Sequence, residues 1–62
     1  MTTIQKLKAL QPTIRAKPKW NKSERYAMQY LTYESYTYVA RLNEVDPSTV
    51  HRLVNNLIKR NE

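Results

Sequence analysis

The sequence predicts an all-α chain, and three observations carry that prediction. Glycine is absent, so tight hairpins that need a positive φ are disfavoured, and glycine-rich phosphate loops and dinucleotide fingerprints are excluded. Apolar residues recur at helical spacing, most clearly at Val50, Leu53, Val54, Leu57 and Ile58, which fall at i, i+3, i+4, i+7 and i+8. Residues suited to helix starts, Ser23, Ser35 and the Asp46-Pro47 pair, stand just ahead of the helical stretches. A chain of 62 residues makes one domain at most, burying about 60% of the surface its unfolded form exposes. With no cysteine and a single histidine, it has neither a disulfide staple nor a thiolate metal site. Such a fold must rest on helix packing, on a partner, or on both.

Residues 3–11 carry Ile4, Leu7 and Leu10 on one side and read as a short basic helix that Pro12 is expected to end. Residues 12–22 read as an extended linker, because Pro12 and Pro18 push their preceding residues away from helix. Arg15, Lys17 and Lys19 alternate along it, and Trp20 is expected to anchor its end on the helical body. Ser23 is the expected cap of a helix over about 23–33, with Glu24 at its positive end and Ala27, Tyr30 and Leu31 inward. After a turn at Glu34, Ser35 is expected to cap a helix from Tyr36 to Asn43 with Val39 and Ala40 inward. Glu44-Val45 turns the chain, Asp46 is expected to cap the last helix, and Pro47 sits in its first turn, where a missing N–H costs nothing. Lys59 and Arg60 suit its negative end. The domain reading is a basic arm or short helix over 1–22, then a helical domain over 23–62.

Charge is unevenly placed. Residues 1–25 hold seven bases and one acid, Glu24, while residues 26–62 hold four of each. An excess of +6 concentrated at one end suggests a basic arm for a polyanion. The apolar runs are too short to span a membrane, and no secretory leader is apparent at the start. The expected location is therefore cytoplasmic and nucleoid-associated, with no membrane partner. Glu24, Glu34, Glu44 and Asp46 are scattered over helix ends and turns, and no nucleophile lies beside a base. So small a fold leaves little room for a pocket. No enzyme activity, cofactor or metal is expected.

The segment from Ser35 to Val54 carries the functional signal. Val39-Ala40 ends a short helix, Val45 plugs a turn, and Ser48-Thr49-Val50 leads into Arg52-Leu53, with Val50 ten residues after Ala40. This pattern resembles the bacterial and phage-type helix-turn-helix DNA-binding domain, in particular region four of sigma factors and the C-terminal domains of DNA invertases and resolvases. The resemblance spans residues 23–58 and implies a three-helix bundle preceded by a basic arm. In the invertase group a basic, proline-containing arm also precedes three helices, and such arms enter the minor groove. Glu44 stands where the family has glycine, so it must take a strained φ or turn differently. Asn43 stands where the family has leucine, and Leu42 is expected to fill that space.

The residues give the same roles without the resemblance. With the aliphatic stripe of the last helix inward, Ser48, His51, Arg52, Asn55 and Lys59 face outward. Arginine pairs bidentately with guanine, asparagine with adenine, and serine with either. Ser48, Thr49, His51, Arg52 and Asn55 are the expected base-contacting residues, because recognition helices read with their N-terminal turns. Arg15, Lys17, Lys19, Tyr36, Thr37 and Lys59 are the expected backbone or arm contacts. The five tyrosines, all between residues 26 and 38, read as core and rim, with an aromatic surface left over that suits a protein.

The expected function is a sequence-specific transcriptional regulator, a repressor of a kind suited to a phage or plasmid. It reads the major groove of double-stranded DNA with the helix around 47–60. One helix and an arm cover few base pairs, so a homodimer or higher assembly on DNA is expected. Two alternatives stand. One is a small adaptor or antagonist that reuses the fold to bind RNA polymerase or another regulator. The other is the DNA-targeting module of a recombinase or transposase.

Overall fold

A computed structural model describes residues 2–61. It is all-helical among these residues, with α1 (Thr3–Arg15), α2 (Lys22–Tyr33), α3 (Tyr36–Asn43) and α4 (Pro47–Arg60) in chain order. Helix α2 is central and packs against each of the others, α3 and α4 pack on one another, and α1 lies on α2 with a smaller contact to α4.

Helices α1, α2 and α3 begin where a side chain satisfies a free N–H group of the first turn. At α1, the Gln5 N–H donates to Thr2 Oγ1 (3.2 Å) and the Thr2 N–H donates back to Gln5 Oε1 (3.1 Å), a reciprocal capping box. At α2, the cap is Asn21 and not the expected Ser23. The Glu24 N–H donates to Asn21 Oδ1 (2.9 Å), and the Asn21 N–H donates to Glu24 Oε1 (3.1 Å). The spacing explains the correction: Glu24 lies three residues after Asn21, as a capping box requires, whereas Ser23 falls inside the first turn and is buried. Ser35 caps α3 as expected, accepting from the Tyr38 N–H at 3.2 Å. Asp46 holds the N-cap position of α4 with Pro47 at the first turn, but its side chain makes no cap hydrogen bond. Its backbone carbonyl still takes the Thr49 N–H at 3.0 Å.

Two turns use left-handed glutamates. Glu34 has φ 55° and Glu44 has φ 55°, a region that favours glycine. At Glu44 the alternatives left by the sequence resolve to the strained φ. The Val45 N–H reaches the Ala40 carbonyl (3.0 Å) and the Glu44 N–H reaches the Arg41 carbonyl (3.3 Å), the paired bonds of a Schellman ending. Val45 then packs against the core, which is the apolar contact that accompanies this motif.

The N-terminal third departs most from expectation. Pro12 does not end α1; the helix continues to Arg15 with Pro12 inside it. Proline forfeits one helical hydrogen bond, yet its own carbonyl still accepts from the Ala16 N–H at 3.2 Å. The reason for continuing is burial: Leu7 and Ile14 are 0% and 3% exposed and join the core. Each such aliphatic group contributes about 1.5–3 kcal/mol when removed from water. Residues 12–15 are therefore helical rather than extended. The remaining connector, residues 16–21, is tied down at two points. The Ile14 carbonyl accepts from the Lys17 N–H (3.1 Å) and from the Trp20 indole N–H (2.8 Å), so Trp20 anchors on the body as expected. Around this frame the core collects Tyr26, Ala27, Val39, Ala40, Val50, Val54, Leu57 and Ile58.

Candidate functional site

The site follows from how α4 is oriented. Val50 and Val54 are fully buried and Leu57 and Ile58 nearly so, with Leu53 packed against them at the core edge. An aliphatic stripe at this spacing fixes the rotation of the helix and turns its other face to solvent. On that face Ser48, His51, Arg52 and Lys59 are exposed, Asn55 is half-buried, and Thr49 is half-buried beside the cap. Asn56, one turn after Arg52, is exposed on the same strip and was not among the expected contacts. Its i+4 relation to Arg52 was the signal that could have found it.

Two of these residues engage one another. The Asn55 amide lies 2.8 Å from His51 Nδ1, and the His51 ring rests against Tyr36 with centroids 4.8 Å apart. Tyr36 in turn stacks on Tyr30, with centroids 4.1 Å apart and planes 7° from parallel. Burial, and then the neighbouring Tyr30, push the Tyr36 phenol above its ordinary value. A column of rings thus joins α2, α3 and the first half of α4, so His51, Asn55 and Tyr36 form one cluster. Arg52 and Thr37 are exposed outside it, and Arg52 has no ion-pair or hydrogen-bond partner among the described residues.

The close approach of α3 to α4 has a simple basis. Ala40 is 1% exposed and Val39 is fully buried, so small and branched side chains form the centre of the α3 contact face, with Tyr36 against His51 at its edge. Leu42 does not fill the space left by Asn43, as the sequence had suggested; it is 49% exposed. Asn43 itself turns inward and donates through Nδ2 to Gln29 Oε1 and to the Val39 carbonyl, both at 2.7 Å. A polar residue is tolerated there because both contacts satisfy its amide.

The basic residues of the N-terminal third do not share one environment. Arg15 is the last residue of α1, and Lys19 is exposed in the connector. Lys17 bonds through Nζ to the buried Glu24 carboxylate. The Lys17 hydrogen bond, and next the Asn21 N–H, hold the Glu24 carboxyl below its ordinary value against the opposing effect of burial. Glu24 therefore remains a charged, fully partnered group inside the fold.

Among the described residues no group of three or more His, Cys, Asp or Glu is placed to hold a metal, and no helix is long and apolar enough to cross a membrane. No family model matches the chain, and comparison with curated proteins and with solved structures likewise finds no match.

Proposed function

We propose that the chain is a non-catalytic, sequence-specific DNA-binding regulator of helix-turn-helix type, with α4 as its recognition helix. The observation that carries this reading is the two-sidedness of α4. Its aliphatic stripe is buried against α2 and α3 while Ser48, His51, Arg52, Asn56 and Lys59 are exposed along the opposite side. These are side chains able to meet base edges and phosphates. Support comes also from the tight α3–α4 corner, closed by Val45 and built on Ala40, and from the chain's excess of +6.

In this reading Arg52 reads a base directly, Ser48 and Thr49 act at the helix start, and the His51–Asn55 pair meets the groove as a unit. Thr37, at the start of α3, and Lys59 contribute phosphate contacts, with Tyr36 behind them as a support. Lys19 and Arg15 supply charge from the N-terminal third. Lys17 is already engaged by Glu24, so its part is to hold the connector. Useful affinity takes two copies on a two-fold site, because a single recognition helix spans only a few base pairs.

The test begins with selection of a binding site from random duplex DNA by the full chain. Arg52→Ala is expected to weaken the selected site by about 1–3 kcal/mol and to leave non-specific DNA nearly unaffected. Lys19→Ala is expected to weaken every duplex alike and to reduce the salt slope by about 1. Failure to enrich any duplex at low salt, or equal loss from both substitutions on all sequences, would overturn the reading.

A further inference from the structure

A second surface lies away from α4. Helices α1 and α2 pack on one another, and residues of both line a cleft of about 330 Å³. Its lining includes Gln11 and Arg15 of α1, Trp20 of the connector, and Arg25, Met28 and Tyr33 of α2. Every lining residue comes from α1, the connector or α2; none comes from α4, and none is acidic. Arg15 and Arg25 are exposed, and neither has an ion-pair partner among the described residues. Tyr33 of the lining also meets Tyr38 of α3, with ring centroids 4.6 Å apart. Trp20, Tyr33 and Tyr38 are 39%, 48% and 47% exposed. Three of the large exposed apolar side chains of the fold are thus joined in one strip bordered by two free guanidinium groups.

We propose that this cleft docks an acidic segment of a protein partner. An apolar side chain of that segment sits against Trp20 and Met28, and its carboxylates pair with Arg15 and Arg25. Charge complementarity selects the acidic character: two arginines without acidic partners, in a cleft lacking any acid, present forked donors that match carboxylates bidentately. Composition selects a protein. Tryptophan, tyrosine, arginine and methionine are the side chains that concentrate binding energy at protein interfaces, and Gln11 adds a side-chain amide able to meet a peptide backbone. A nucleic-acid strand would need a cationic track along its length. Here the strip continues instead into Tyr33 and Tyr38, with Glu34 between them in sequence. The lining of α2 runs from Arg25 to Tyr33, about 12 Å or two helical turns, which is room for a short segment rather than a whole domain.

The only tryptophan in the chain lines this cleft, so its fluorescence reports occupancy directly. A random peptide library selected on the full chain is expected to yield segments rich in Asp and Glu around an aromatic or aliphatic residue. The best of them that lacks tryptophan is then titrated against the chain, and Trp20 emission should shift to the blue and saturate. Arg15→Ala and Arg25→Ala should each weaken binding about tenfold or more, as expected for loss of a charge-assisted bond, while Arg52→Ala leaves it unchanged. Enrichment of peptides without acidic character overturns the proposal, as does binding indifferent to Arg15→Ala and Arg25→Ala. Saturable binding of single-stranded oligothymidylate in place of peptide, with the same arginine dependence, overturns it in favour of nucleic acid. Arg52 and the rest of α4 take no part in the cleft; Arg15 is shared with the charge offered to DNA, so Arg25→Ala and Arg52→Ala are the pair that separates peptide docking from DNA recognition.

Discussion

Glu24 serves three structural ends from one position. Its backbone N–H and one carboxylate oxygen close the cap of α2 with Asn21, and the other oxygen holds Lys17. The residue is 2% exposed, a setting in which an unpartnered carboxylate would be costly. Its partners more than offset that cost, which is why its carboxyl is held below the ordinary value of 4.5. A group of lowered folded pKa binds protons more readily in the unfolded chain. Its contribution is therefore complete above pH of about 4.5 and is lost as pH falls through the lower folded value. Urea midpoints measured between neutral and acid pH should decline in that window, and Glu24→Gln should flatten the decline. The same variant should lose about 1 kcal/mol at neutral pH, a modest figure because Lys17 is half exposed and screened by solvent. An acid limb as steep in the variant as in the parent chain would place the responsible carboxylate elsewhere.

At the scale of the element, three helices were legible in the sequence nearly to the residue and one was not. Helices α2, α3 and α4 are short amphipathic units with their own start residues, so local pattern and tertiary role agree. Helix α1 outruns its local pattern, because Pro12 is by itself a stop signal. Its cost in a helix interior, about 3 kcal/mol, is comparable to what burial of one or two aliphatic side chains returns, and Ile14 lies beyond Pro12 where only a continued helix brings it to the core. The cap of α2 was legible in principle from Asn21 and Glu24, but Ser23 was the nearer of the strong cap formers. The α3–α4 turn shows local and global preference in conflict. Glu44 adopts a left-handed backbone that costs a non-glycine residue roughly 1–2 kcal/mol, in order to deliver Val45 to the core and start α4 at the right angle. Glu44→Gly should relieve that cost, less the entropy of a freer unfolded chain, for a net gain of about 0.5–1 kcal/mol. Calorimetry should register this as a rise of a few degrees in the thermal midpoint, roughly 2–8 °C. A fall in the midpoint would mean that the Glu44 side chain contributes more than its backbone costs.

For the molecule as a whole, the two candidate surfaces differ in how far a sequence can reveal them. The exposed face of α4 is a property of one helix, visible once its aliphatic stripe is recognised. The cleft needs Arg15 brought beside residues 25–33, which happens only because α1 extends past Pro12 and folds back on α2. Both surfaces depend on that packing, since α1 also touches α4 and its Leu7 is 0% exposed. If residues 3–15 served merely as a basic tail, deleting the Leu7 side chain would be neutral. Embedded as it is, Leu7→Ala should cost about 2–4 kcal/mol from lost burial and the cavity left behind. For a chain of this size, whose total stability is on the order of 3–9 kcal/mol, that is a large fraction. Each kcal/mol moves the thermal midpoint of so small a fold by about 4–8 °C, so the variant should melt at least ~8 °C lower, with helix content at low temperature retained if folding survives. The loss should appear together with weaker peptide docking at the cleft, even though Leu7 lines neither surface. A variant that melts with the parent would show that α1 does not share the core, and would detach the cleft from the packing of α1 on α2.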